Sequence, residues 1–180
     1  MLIARRAVRG ACPEGEGKTE KALRPLEGAG WTVVHDAPAL SFGNYDHVVV
    51  GPNGVYLMET KNQQGIVDIR GGPSRLSRRH ELDGSVVFRR YRPRALGAAA
   101  HIREHIQEQC GHSTWVQVVV VFWSEFPDGL VEDGRCVYIH GSGLRAWLGE
   151  REAKLDGSQV EQIAEALELL RDKRPVEAAG

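Results

Sequence analysis

Residues 44–62 read Asn-Tyr-Asp-His-Val-Val-Val-Gly-Pro-Asn-Gly-Val-Tyr-Leu-Met-Glu-Thr-Lys-Asn, and no other segment constrains the fold so tightly. Two apolar runs, 48–50 and 55–58, flank Gly51-Pro52-Asn53-Gly54, a strong turn signal, so the segment reads as a β-hairpin. With Pro52 and Asn53 as a two-residue loop, Asp46 falls opposite Glu59. Lys61 follows on the same face, because side chains alternate along a strand. Like charges opposite one another destabilise a sheet, so acids placed this way need a compensating partner. A type I turn with a glycine bulge at Gly54 would shift the pairing by one residue and part the two acids.

The rest of the chain supplies a frame for this hairpin. Residues 14–29 carry a narrow helical stripe of Ala22, Leu23, Leu26 and Ala29, ended by Gly28 and Gly30, and 31–35 form a short strand. A third strand at 66–69 is expected to extend the hairpin's sheet, before Gly71-Gly72-Pro73 breaks the chain. The arginine-rich stretch that follows reads as a second ribbon turning at Asp83-Gly84. Pro93 opens a helix reaching Cys110. Residues 115–123, nearly all β-branched or aromatic, predict a central strand buried on both faces. A shorter strand at 136–139 and helices at 144–148 and 156–171 complete the pattern. The expected fold class is α/β, a mixed central β-sheet flanked by helices. One domain over 13–174 accommodates all of it, with an N-terminal extension at 1–12 and a tail at 175–180.

Composition excludes several classes. The apolar and charged fractions are those of an ordinary globular protein, and no run approaches a membrane helix. Residues 1–10 lack the apolar stretch of a secretory signal, so the expectation is a cytoplasmic protein. Cys12, Cys110 and Cys136 form neither a CxxC pair nor a zinc pattern and read as reduced structural thiols. The formal charge is −1, but its distribution is uneven. Residues 70–94 hold eight arginines (Arg70, Arg75, Arg78, Arg79, Arg89, Arg90, Arg92, Arg94) against Glu81 and Asp83, a local +6 against −7 elsewhere. Such a patch is the footprint of a phosphate-backbone binder, or else a solvated ribbon paired with distant acids.

Two carboxylates and a lysine in the order Asp-x12-Glu-x-Lys suit metal-assisted phosphodiester hydrolysis. Mg²⁺ takes oxygen ligands, and Asp46, Glu59 and the main-chain carbonyl of Thr60 offer such a set. Lys61 would orient water or stabilise charge on the phosphate. On the first helix, Glu16 and Glu20 lie close to Leu23 on the helical wheel, which makes either a candidate fourth ligand. A structural explanation, an Asp46–Lys61 salt bridge, accounts for two of these residues alone. His101 and His105 have zinc-pair spacing but lack a third ligand nearby and read as exposed helix histidines. Ser142 in Gly141-Ser142-Gly143 reads as the N-cap of the next helix.

The run from Asp46 to Asn62 resembles the signature of the nuclease-related, or NERD, domain, a family similar to the PD-(D/E)xK nucleases of restriction-endonuclease-like fold. Gly15-Glu16 followed by Leu23 resembles the family's opening helix, and residues 31–36 its strand before the catalytic hairpin. The resemblance implies a divalent-metal-dependent nuclease, using Mg²⁺ or Mn²⁺ on nucleic acid, DNA first. It implies Asp46, Glu59 and Glu16 as metal-ligating carboxylates and Lys61 as the catalytic lysine, while the charge of the arginine ribbon makes it the expected nucleic-acid-binding surface. Two stretches depart from the pattern. Asn44 and Tyr45 stand where members commonly have Glu-Ile, and Leu96 stands near an expected glutamine. The competing expectations are a catalytically inactive nucleic-acid-binding module that keeps the fold, and a protein-interaction domain.

Overall fold

The computed structural model describes residues 13–38, 44–62, 65–69, 75–79, 86–90 and 94–172. Helix α1 (Pro13–Leu23) runs into a 3₁₀ turn (Arg24–Leu26), and β1 (Thr32–Pro38) follows. Strands β2 (Asn44–Gly51) and β3 (Gly54–Lys61) form the hairpin. Next come β4 (Ile66–Ile69), β5 (Arg75–Arg79) and β6 (Val86–Arg90), then α2 (Arg94–Cys110). The chain closes with β7 (Val116–Phe122), β8 (Leu130–Glu132), β9 (Cys136–His140), α3 (Leu144–Gly149) and α4 (Gly157–Asp172).

The main sheet has the order β1-β2-β3-β7-β9-β8. Its β1, β2 and β3 are antiparallel neighbours, β3–β7 and β7–β9 run parallel, and β8 returns antiparallel to β9. A parallel neighbour needs a long crossover, and the stretch through β4 to α2 provides it. The mixed α/β sheet flanked by helices is therefore as expected. Strand β7 is buried along its length apart from Gln117, because helices cover both faces. On one face Val48, Val50, Val55, Leu57, Val118 and Val120 meet α2 and α4. On the other, Val49, Tyr56, Met58, Val119 and Val121 meet Leu23, Leu26 and the α3 residues Leu144, Trp147 and Leu148.

Several sequence expectations are corrected. Strand β4 does not extend the hairpin's sheet; it begins a second, three-stranded sheet in the order β4-β5-β6. The reason lies in β3, which already has β2 on one side and β7 on the other and so offers no free edge. One parallel bridge, Ile66 to Glu125, and the Val67 amide on the Glu125 carbonyl (2.7 Å) join the two sheets. His105 is not an exposed helix histidine: it is buried, and its Nε2 lies 2.8 Å from the Ala166 carbonyl of α4. Ser142 does not cap α3. Its amide donates to His140 Nδ1, which caps the 3₁₀ turn at Gly141–Gly143, and Gly143 precedes α3 without a side-chain cap.

The hairpin tip is held from outside the hairpin. The Pro52 carbonyl accepts the Lys154 and Leu155 amides (2.7 and 2.8 Å). Asn53 Nδ2 donates to the Leu148 carbonyl, while Asn53 Oδ1 accepts the Tyr56 hydroxyl (2.7 Å). Buried polar groups that lose a partner keep their desolvation cost, about 1–3 kcal/mol each. Asn53→Ala strands both the Leu148 carbonyl and the Tyr56 hydroxyl. It should lower stability by about 2 kcal/mol, seen as a fall of roughly 5 °C in the thermal midpoint for a domain of this size.

Candidate active site

Hairpin register decides whether the acids meet. The β2–β3 ladder runs Gly51↔Gly54, Val50↔Val55, Val49↔Tyr56, Val48↔Leu57 and His47↔Met58, the register of the two-residue Pro52-Asn53 loop. The shifted, bulged alternative is not adopted. Both strands continue past His47 and Met58, but the ladder between them ends there. Tyr45 is buried in the α2/α4 core, although alternation with Val49 would put it on the other face, so β2 leaves the regular pleat at this end. In place of the next ladder bond, the Thr60 amide donates to Asp46 Oδ2 at 2.7 Å. The Asp46 carboxylate is thus fixed on the peptide that links Glu59 to Thr60.

Glu59 and Lys61 point to the same face as Val55 and Leu57 by alternation. Lys61 Nζ lies 2.6 Å from Glu59 Oε1, with the two side chains 20% and 31% exposed. The lysine is therefore delivered to Glu59. Its main chain is pinned as well, since the Trp123 amide donates to the Lys61 carbonyl at 3.0 Å. Thr60, between them, points the other way: its hydroxyl donates to Thr19 of α1 at 2.9 Å.

Helix α1 lies on the Thr60 side of the sheet, opposite Glu59 and Lys61. Its inward stripe is Gly15, Thr19 and Leu23, continued by Leu26 of the 3₁₀ turn, all buried. A Cβ on Gly15 would sit 2.7 Å from Asn62 Cβ and 3.2 Å from Thr60 Cγ2, so the helix backbone closes directly on the end of β3. Glu16 is half-buried beside this contact, whereas Glu20 is exposed and pairs with Arg24 at 3.4 Å. Of the two candidate helix carboxylates, only Glu16 stands next to the hairpin's end. Among the described residues, no three His, Cys, Asp or Glu side chains converge closely enough to hold a metal ion. The oxygen donors on the hairpin are thus two carboxylates and a main-chain carbonyl, a set matching the one or two carboxylates that Mg²⁺ commonly takes from protein. Thr60 directs its carbonyl to the same side as its amide, the side on which the β2 ladder has ended.

His47, next to Asp46, is buried against β1. Its Nδ1 lies 2.8 Å from His35 Nδ1, and His35 Nε2 is 3.8 Å from Glu27 Oε1. Desolvation, helped by the neighbouring His35, pushes the His47 pKa down to about 4. The ring stays neutral beside Asp46.

Of the sequence-expected basic residues, Arg75, Arg78 and Arg79 lie on β5, Arg89 and Arg90 on β6, and Arg94 opens α2. Arg70 and Arg92 lie outside the described residues, as does the turn expected at Asp83-Gly84. The β5–β6 register sets Arg75 beside Arg90 and Arg78 beside Val87. This sheet meets the main sheet at Glu125, two residues beyond the Trp123 that holds Lys61.

A family model for the nuclease-related domain matches residues 13–123, from the start of α1 to the Trp123 that holds Lys61. The chain belongs to the NERD, nuclease-related, domain family. The matched span carries Glu16, Asp46, Glu59, Lys61 and the arginine-rich sheet. Strands β8 and β9 and helices α3 and α4 lie beyond it. No curated protein and no solved structure matches the chain. None of the described helices is long and apolar enough to cross a membrane. Thr19 and Trp123 escaped sequence reasoning altogether. Thr19 lies one turn before Leu23 on the same stripe, and that i, i+4 relation to a core leucine was the signal available.

Two outcomes follow from this geometry. Gly15→Ala forces α1 off the end of β3, with an expected loss of about 1–3 kcal/mol in chemical denaturation. The His47 shift also sets a pH dependence. The folded pKa of about 4 lies below the ordinary 6.5, so between these values the unfolded chain binds the proton first. Stability contributed by neutral His47 is complete above pH 6.5 and is lost as pH falls toward 4, to a total of about 3 kcal/mol. Denaturant titrations across that window should show the slope in the wild type and a flatter one in His47→Phe.

Proposed function

We propose that this protein is a divalent-metal-dependent nuclease that hydrolyses phosphodiester bonds in DNA, with residues 13–174 acting as one domain. The observation that carries the proposal is the broken ladder at the mouth of the hairpin. There Asp46 sits on the Glu59–Thr60 peptide, and Lys61 sits 2.6 Å from Glu59. Asp46, Glu59 and the Thr60 carbonyl would hold Mg²⁺ or Mn²⁺, and Glu16 on α1, which does not converge with the two hairpin carboxylates, would act from outside that direct set. The ion, when bound, supplies positive charge for the phosphate and lowers the pKa of a coordinated water.

The chain's own residues do the rest. Glu59 holds Lys61 as a fixed cation at the strand end, where its ammonium can meet the negative charge that builds on a scissile phosphate. The Thr60 amide holds one Asp46 oxygen, which keeps the carboxylate from rotating between productive and unproductive positions. The arginine-bearing β4–β6 sheet, joined to the main sheet beside this end, would take the nucleic-acid backbone through salt-sensitive phosphate contacts. The Lys61–Glu59 pair also suits a second reading, a nucleic-acid-binding module in which that pair is structural and no cleavage occurs.

A digest separates the two. Purified protein with Mg²⁺ or Mn²⁺ is expected to cleave DNA. Asp46→Asn, Glu59→Gln and Lys61→Met should each reduce the rate by about 10²-fold or more, the scale of losing a group that acts on the reacting charge. Salt-dependent binding with no turnover on single-stranded, duplex or branched DNA, or on RNA, would sink the nuclease proposal and favour the binding module.

A further inference from the structure

Thr19 stands at the meeting point of three segments that carry the candidate site, yet it is neither acidic nor basic. Its side chain is fully buried on α1. Its Oγ1 accepts the Thr60 hydroxyl at 2.9 Å and the Trp123 indole N–H at 2.8 Å. It donates to the Gly15 carbonyl one turn back, at 3.3 Å. A threonine hydroxyl has one donor and two acceptor sites, so all its capacity is used. Backbone spacing permits the arrangement. Gly15 lets α1 close on Thr60 and Asn62, and Gly141 leaves room for the Trp123 indole, which a Cβ there would strike.

Each of the three partners also holds part of the site. Thr60 bonds Asp46 through its amide. Trp123 bonds the Lys61 carbonyl through its own amide. Gly15 precedes Glu16 in α1. We propose that Thr19 is a positioning residue: its hydroxyl sets the relative placement of the Asp46–Thr60 contact, Lys61 and the α1 backbone at Glu16. Its effect on rate rests on the nuclease reading above, but its effect on the Thr60 contact does not.

The network explains why a hydroxyl stands where the apolar stripe would otherwise continue. Valine has nearly the same shape as threonine but lacks the hydroxyl. In Thr19→Val, Thr60 and Trp123 would keep buried donors with nothing to meet them, and the strand end would relax away from α1.

The test uses the full chain with Thr19→Val and Thr19→Ser, the serine keeping the hydroxyl. Amide hydrogen exchange is read at Thr60, with the β7 amides of Val119 and Val120 as internal references. The expected result is exchange at Thr60 about tenfold faster in Thr19→Val with β7 unchanged, and near wild-type exchange in Thr19→Ser. The turnover number for Mn²⁺-dependent cleavage should fall about tenfold with KM unchanged, and serine should restore it. Thr60 exchange equal to wild type, or acceleration of all amides together, would overturn the proposal. Thr60→Val, which leaves the Gly15 and Trp123 bonds in place, carries the same readout of cleavage and of Asp46-bonded Thr60 exchange should the first variant not fold. A wild-type protein without cleavage defeats the nuclease reading alone, and Thr19 is then judged by exchange.

Discussion

An interior strand has neighbours on both sides, so its backbone groups are normally used up by ladders. Strand β3 obeys this along most of its length and breaks it on one side only, after Met58. From there β7 continues to hold one edge, through to the Trp123 amide on the Lys61 carbonyl. The other edge passes from backbone pairing to a side chain, Asp46. This half-open strand end organises the candidate site. It brings a carboxylate, a carbonyl direction and a lysine together while the strand beneath them stays rigid. A fully paired end would have filled that space with Tyr45 main chain, and a free end would not have held the lysine in place.

Much of this was legible in the sequence because it rests on local rules. The Gly51-Pro52-Asn53-Gly54 turn and its apolar flanks announced the hairpin but left two registers open, of which the structure adopts the two-residue loop. The valine run of β7 announced a strand covered on both faces, and proline and periodicity placed helix starts at Pro93 and Asp156, one residue before the observed α2 and α4. What failed depended on distant neighbours. The residues of β4 look like any strand, and only the pairing of β3 with β7 denies them a place in the main sheet. The three residues of β8 are too few for a period to emerge. His105 is polar by type, and it is buried because α4, some sixty residues further on, offers it a carbonyl. Thr19 looked like an ordinary helix residue, since its partners lie 41 and 104 positions away.

The electrostatic plan is divided between the two sheets. In the main sheet the charges are mutually held, as in the partly buried Glu59–Lys61 pair and in the exposed Glu132, which accepts from both Trp147 and Arg151. Those two bonds keep the Glu132 carboxyl below its usual range. The second sheet concentrates arginine instead, even setting Arg75 beside Arg90 across the ladder.

The clamp on the hairpin tip has a mechanical meaning. Pro52 and Asn53 are tied to the chain leaving α3, at the end of the hairpin far from Asp46 and Lys61. With the tip so tied, and β7 pairing with β3 as far as Lys61, β3 is restrained at both of its ends. The segments that impose this anchorage lie beyond the stretch that defines the family. In this chain they hold the hairpin from the tip, while the family-matched β7 holds it from the mouth.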